Sequence, residues 1–283
     1  MLMLVNLLLG ASIVLTPGKS WHSEPFPVKG GVQYGLEFRA RIDGETTIER
    51  NAQVGVAFYD VARSQRGMNL PGWSLEFRTA EGKTTGLGIL FPYWNAIWSG
   101  EWRTYRDGFN APWDAATVRI AYHNNSSRDA LEAEPPVLSE SKSPYVNVNP
   151  DFNLGERCHA GFGIGGFGSL LRMERRSDGK GWYLSVKTWT NADRMPVRGG
   201  HAYRFDLKLV PGTKFGAKCG VSFSDAAGKG LKGPDIGGGF IVKGKDGAAV
   251  TTFVAPSDAA YMGLHLGKTD FEHVRVTDLG VAK

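Results

Sequence analysis

From residue 34 the chain alternates in steps of two. Tyr34, Leu36, Phe38, Ala40 and Ile42 are apolar, and Gly35, Glu37, Arg39 and Arg41 between them are charged or glycine. A period of two puts the two sets on opposite faces of a pleated strand, so the pattern predicts a half-buried β-strand. Tyr203, Phe205, Leu207 and Leu209 alternate with Arg204, Asp206 and Lys208 in the same way. Shorter alternating runs predict further strands at Val54, Val56 and Phe58, at Val221 and Phe223, at Val118, Ile120 and Tyr122, and at Met262, Leu264 and Leu266. Turn residues punctuate these runs, and no stretch has the 3.6-residue period of an amphipathic helix.

The strands come in two copies. With a constant offset of 169, Pro27, Val28, Lys29, Gly30, Gly31 and Tyr34 align with Pro196, Val197, Arg198, Gly199, Gly200 and Tyr203. Residues 55–60 echo residues 220–225, and residues 109–116 echo 253–260. Three blocks in one order make a repeated unit. The expected fold class is therefore all-β, as two tandem antiparallel β-sandwich (jelly-roll) domains. The expected domains are 1–140 and 141–283, divided near a polar stretch that carries Pro135, Pro136 and Pro144. The first copy, with 26 residues before Pro27, either lacks an opening strand or borrows one. It also holds 49 positions between Asp60 and Phe109 against 28 between Asp225 and Phe253. That predicts an insertion at about 66–106.

Thirty-eight glycines and abundant β-branched and aromatic residues agree with an all-β chain. The net charge is +5. Basic residues are interspersed with acids, which describes a solvated sheet face and argues against a nucleic-acid partner. Cys158 and Cys219 fall in one copy. They allow one disulfide, and two buried free thiols fit equally. Residues 1–15 resemble the apolar part of a secretory signal but lack a basic start and carry Asn6. The offset of 169 gives the rival reading, a core strand at residues 12–15. No run reaches the length of a membrane span.

The insertion is where chemistry is expected. It holds Trp73, Tyr93, Trp94, Trp98, Trp102 and Tyr105, with Trp113 just beyond. Indole faces stack on the apolar C–H face of a pyranose while neighbouring polar groups take its hydroxyls. Asn95, Glu101 and Arg103 are placed for that second task, and Trp21 is a further platform candidate or a core ring. Rings of this kind also cap cores and anchor protein contacts. The six histidines show no metal-ligand spacing. Asp60 and Asp225 are equivalent in the repeat and read first as turn residues, with a structural calcium as the alternative; no other cofactor is expected. Residues 161–166 formally match G-x-G-x-x-G, but no βαβ context surrounds them, and a glycine-rich loop is expected. Glu101, Asp107, Glu132 and Glu134 are the carboxylates available to a glycosidase, a chemistry that depends on a separation the sequence does not fix.

The order of blocks resembles the large jelly-roll class of carbohydrate-binding modules, the family 4, 9 and 22 type, which are galactose-binding-like sandwiches often found in tandem. The matching segments are residues 27–36, 54–58, 94–105, 109–116 and 118–122, and in the second copy 196–205, 221–223, 253–260, 262–266 and 271–278. Residues 146–155 resemble the opening of such a module. The resemblance lies in folding residues, and the second copy lacks the tryptophan-rich stretch. It implies a secreted or cell-surface, non-catalytic protein whose partner is a polysaccharide or other glycan. The alternative is a structural subunit of an extracellular filament, sheath or shell that self-associates; a glycan-active enzyme ranks third.

Overall fold

A computed structural model describes residues 12–42, 71–90, 97, 99–126, 129–154, 162–164, 171–192, 194–213, 217–232, 240–242 and 247–282. Among these residues there is no helix. The first half contains β1 (Ile13–Leu15), β2 (Ser20–His22), β3 (Phe26–Pro27), β4 (Gln33–Ile42), β5 (Gly72–Arg78), β6 (Thr84–Leu90), β7 (Arg103–Asn110), β8 (Thr117–His123), β9 (Leu131–Ala133) and β10 (Val137–Glu140). The second half contains β11 (Phe162–Ile164), β12 (Leu171–Arg175), β13 (Trp182–Ala192), β14 (Met195–Pro196), β15 (His201–Leu209), β16 (Ala217–Ser224), β17 (Gly230–Leu231), β18 (Phe240–Val242), β19 (Ala248–Val254) and β20 (Tyr261–Val281). All pairings are antiparallel.

The first half is a sandwich of two sheets. One runs β1-β9-β4-β10 with β7 on the other edge of β4; the other runs β2-β8-β5-β6 with β3 beside β8. The inward residues of β4 meet Trp73, Leu75 and Phe77 of β5 and Val118, Ile120 and Tyr122 of β8 in one buried cluster. Phe38 sits at its centre, with its ring centroid 5.1 Å from Trp73, 5.5 Å from Tyr105 and 5.0 Å from Tyr122. The second half repeats this with as many strands, two of them much longer: β13 has 11 residues and β20 has 21. The 21-residue β20 pairs with β16 through its first part and with β15 through its second, so one strand serves both layers. β13 accompanies it around the corner, with its register shifting between Val186 and Trp189, as a bulge allows. A second buried cluster fills this half. Residues 146–154 contribute to both, because Val148 and Leu154 pack into the first cluster and Val146 and Phe152 into the second.

The two copies use the same atoms for the same tasks. Gly31 and Gly200 adopt φ of 76° and 74°, a region that a Cβ resists. A Cβ on Gly30 would lie 2.0 Å from the Trp113 carbonyl oxygen, and one on Gly199 would lie 1.9 Å from that of Ser257. The pair is therefore Gly-Gly because the first residue touches the facing turn and the second must twist. The Tyr34 hydroxyl accepts from Lys29 N at 2.9 Å, and Tyr203 accepts from Arg198 N at 2.7 Å.

Three expectations change. First, β16 does not answer residues 55–60, which lie outside the described residues. Phe77 pairs with Val118 as Phe223 pairs with Met262, and Ala116 N bonds the Arg78 carbonyl as Ala260 N bonds that of Ser224. The counterpart of β16 is β5, at an offset of 146. The following turns match too: Thr79 N bonds Lys83 O and Asp225 N bonds Lys229 O, with Gly82 and Gly228 at φ of 75° and 80°. Second, Lys83 and Phe109 are then 26 positions apart and Lys229 and Phe253 are 24 apart, so the aromatic stretch is no insertion. The surplus falls between β4 and β5, in residues 43–70, outside the described residues. Third, the first copy does not lack its opening strands: β1 pairs β9 and β2 pairs β8, just as the two parts of β13 pair the two parts of β20. This fulfils the core-strand reading for residues 13–15.

Candidate functional site

The predicted aromatic platform does not form one surface. Trp73 and Tyr105 are corrections: at 0 % and 5 % exposure both rings belong to the first core, where Trp73 Nε1 donates to buried Asp107 at 3.2 Å and Tyr105 OH accepts from Ser99 N at 3.3 Å. Their faces are spent on Phe38 and on each other, so no ligand reaches them. Trp21 is half-buried and stacks on Tyr122 with centroids 5.2 Å apart. Trp102 lies on the outer face of the β4 sheet, with the Arg39 and Arg41 guanidinium groups each 5.5 Å from its ring. Those arginines pair with Glu134 at 2.9 Å and Glu132 at 2.7 Å, and Arg106 pairs with Glu37 at 2.6 Å. Glu101 is exposed beside them, and Arg103 Nε donates to Ser99 Oγ at 3.1 Å. Tyr93, Trp94, Asn95 and Trp98 lie outside the described residues.

The residues flanking this segment are well anchored. Leu90 pairs with Leu75 at the edge of the second sheet, and Ile97 N donates to Pro71 O at 2.8 Å, next to the start of β5. The outward face of that sheet carries a polar row the sequence reading did not single out. His123 is half-buried there, with Ser20 Oγ 2.9 Å from Nδ1 and Ser74 Oγ 2.7 Å from Nε2. His22 stands edge-on to it at 6.3 Å and lies 3.7 Å from Glu76. Burial, followed by the neighbouring His22, pushes the His123 pKa down, against a smaller opposing pull from Glu76. A neutral imidazole has one donor and one acceptor nitrogen, which suits two hydroxyls that can each play either role. The signal was present as Ser-x-Glu on β5 and His on β8, but only the register, which pairs His123 with Gly72 and sets it diagonal to Ser74, brings them together. Ser74 is fully buried, so this serine–histidine contact presents no nucleophile to solvent.

A second feature lies where the two sandwiches meet. Trp113 Nε1 donates to Ala260 O at 2.9 Å, and Gln33 Nε2 donates to Val146 O at 3.3 Å. Beside these contacts a cleft of about 320 Å³ is lined by Gln33, Asn110, Trp113, Tyr145, Arg198 and Asp278, among others. Sequence reading treated Arg198 only as part of a turn and Trp113 only as a neighbour of the insertion.

The remaining candidates resolve simply. Asp225 Oδ1 accepts from Ala227 N at 3.0 Å and Lys229 N at 2.9 Å, so its carboxylate closes its own turn. Its structural counterpart is Thr79, and Asp60 lies outside the described residues. Among the described residues no cluster of three or more His, Cys, Asp or Glu side chains could hold a metal. Of the two alternatives for the cysteines, Cys219 follows the free-thiol one: it is buried in the second core, where burial pushes its pKa up to about 12, and Cys158 lies outside the described residues. Residues 162–164 form β11 rather than a loop. No helix among the described residues is long and apolar enough to cross a membrane.

No protein-family model matches the chain, and no curated protein matches it. Solved structures similar to it include the tandem CBM22-1–CBM22-2 domain of Paenibacillus barcinonensis Xyn10C, at 9 % identity and a TM-score of 0.29 over 89 % of this chain and 80 % of that one. The tandem CBM51 modules of a family 98 glycoside hydrolase from Streptococcus pneumoniae match at 11 % identity and a TM-score of 0.22, over 94 % and 82 %. Allantoicase from Saccharomyces cerevisiae matches at 11 % identity and 0.28, over 87 % and 74 %. Binding modules and an enzyme appear side by side at these values, and the likenesses decide neither ligand nor activity.

Proposed function

We propose that the chain is a non-catalytic carbohydrate-binding protein. The observation that carries this reading is where the ring-rich segment begins and ends. Leu90 and Ile97 anchor it beside β5, on the sheet whose outward face bears Ser20, His22, Ser74, Glu76 and His123. Tyr93, Trp94 and Trp98 would stack on pyranose faces, and Asn95 with the exposed Ser20 and His22 of the row would take ring hydroxyls. Catalysis has less support. Glu132 and Glu134 are held by arginines, Asp107 is buried under Trp73, and Glu76 is the one carboxylate in the row, whereas glycoside hydrolysis calls for two facing carboxylates.

Affinity per site should be on the order of 10–100 µM, a few stacked rings' worth. Isothermal titration against a glycan panel, with wild type and the Trp94→Ala and Trp98→Ala variants, tests the reading. Binding by the wild type that weakens in either variant supports it. Equal binding in all three proteins, or none in any, refutes it.

A second reading, self-association, is favoured by β19. Its counterpart β7 carries exposed Arg103 and Arg106 along an edge, and such charges discourage strand addition. β19 has no charged residue and exposes Val250 and Val254 at 55 % and 43 %. A second copy could pair with it antiparallel without opposing like charges. Light scattering that finds a monomer at all concentrations excludes this reading.

A further inference from the structure

We infer that the cleft between the two sandwiches binds a carboxylated sugar residue, a uronate within a polysaccharide, through the guanidinium of Arg198. The inference rests on the carbohydrate reading above and adds a second site with its own ligand chemistry.

The argument comes from how the copies differ. In the first copy, Lys29 Nζ lies 4.0 Å from Glu140, a residue paired with Tyr34. In the second copy the same positions are Arg198 and Asp278, the latter paired with Tyr203. The cation should therefore have its carboxylate, but Asp278 is taken by another partner. His201 stands where the first copy has Val32, and its Nδ1 lies 2.9 Å and 3.1 Å from the two Asp278 oxygens. Gly280 N donates to the same carboxylate at 2.8 Å. Asp278 is thus engaged from two sides, and no carboxylate among the described residues pairs with Arg198. The other copy difference completes the site. Trp113 occupies the position of Ser257, and its indole reaches across the junction to lie beneath the Arg198 guanidinium, 5.9 Å from the ring centroid.

An arginine laid on an aromatic face is held in place at low entropic cost, with its N–H fork still available. The partner that matches the fork is a planar carboxylate, which accepts two parallel hydrogen bonds. Asn110 and Ser143 line the same cleft and can meet hydroxyls. A volume of about 320 Å³ is at the small end for ligand sites and fits one or two pyranose rings. The net charge of +5 favours approach of a polyanion over a neutral glycan.

The test compares galacturonate and glucuronate oligosaccharides with galactose and glucose oligosaccharides of equal length by isothermal titration, at low and raised salt. Proteins are the wild type, Arg198→Gln, Arg198→Lys and Trp98→Ala, each checked for native thermal unfolding. One uronate should bind the wild type at least tenfold more tightly than its neutral counterpart, with the preference shrinking in salt. Arg198→Gln should abolish the preference, Arg198→Lys should retain part of it, and Trp98→Ala should leave it intact. Equal binding of acidic and neutral sugars, or a preference that survives in Arg198→Gln, overturns the cleft assignment while the carbohydrate reading stands. A sulfated oligosaccharide that outcompetes both uronates overturns the carboxylate assignment. Failure of every sugar to bind overturns both readings.

Discussion

The double glycine before β4 and β15 offers a quantitative check on why the repeat is written as it is. Gly199 and Gly200 are neighbours, both solvent-accessible in part, and a sequence reading would treat them alike. The structure separates them. A Cβ on Gly200 meets nothing within 4 Å, and its cost is the φ of 74° alone. For a non-glycine residue that conformation costs about 1–2 kcal/mol. A Cβ on Gly199 would lie 1.9 Å from Ser257 O and 2.8 Å from Pro256 O, both backbone atoms. Relief requires one turn to retreat by more than 1 Å, roughly the shortfall from ordinary contact. Neither turn is free to do so. Val197 N bonds Ala260 O at 2.9 Å, Gly200 N bonds Ala255 O at 3.0 Å and Ala259 N bonds Pro256 O at 2.9 Å, so a shift breaks hydrogen bonds as well as contacts. Gly199→Ala should therefore cost about 3 kcal/mol or more, the upper range for overpacking. Urea unfolding of the two variants, followed by near-ultraviolet circular dichroism, compares changes two atoms apart in the same half of the protein. The expected order is Gly199→Ala well below Gly200→Ala. Equal midpoints, or the reverse order, would refute the close-approach explanation and leave only conformational freedom to account for both glycines.

Trp73→Phe should lower stability by about 1–3 kcal/mol, because buried Asp107 loses its indole donor while its carboxylate stays in the core; a urea midpoint unchanged from wild type would contradict the hydrogen bond. Burial holds the His123 and His265 pKa values below the ordinary 6.5, so the unfolded chain takes up protons first. Their contribution is complete above about pH 7 and is lost as pH falls below 6.5, and Tm measured from pH 8 to 5 should drop through that window. Cys219 works the other way: with its pKa pushed up from 9.0 to about 12, its contribution is complete below pH 9 and fades above it. Cys219→Ala should flatten the alkaline limb.

Alternation in β4 and β15 and the offset of 169 were enough to place the two central strands, the glycine turns and the all-β class. The reason is local: one buried face and one tight turn each impose a residue type at a fixed spacing. The pairing of residues 55–60 with 220–225 went wrong because a Gly-Val-x-Phe strand is common currency in a sheet. The better signal was a turn. Phe77, Ala80, Gly82 and Lys83 answer Phe223, Ala226, Gly228 and Lys229, and a turn that needs glycine at a positive φ is harder to imitate than a strand. Ring counting failed for a different reason. Trp73 and Trp94 are the same letter, and only the register of β5 against β8 shows that Trp73 points inward opposite Tyr122. The polar row around His123 was invisible in sequence because its members come from three strands as far apart as residues 20 and 123.

Where the two copies agree, the residue has a backbone task that must be done twice. Gly30 and Gly199 leave room for a carbonyl, Tyr34 and Tyr203 satisfy an amide, and Ala111 and Ala255 accept from the second glycine of each pair. Where they disagree at equivalent positions, folding has not dictated the choice, since the other copy folds with a different side chain there. Three such disagreements are Trp113 against Ser257, Val32 against His201, and Lys29 against Arg198. They meet at one place, the junction of the sandwiches. His201 takes the carboxylate, no other carboxylate among the described residues pairs with Arg198, and Trp113 gives it a surface to lie on. These three changes are chemically complementary and lie around one cleft, so substitution of Arg198 tests binding apart from the backbone tasks that both copies share.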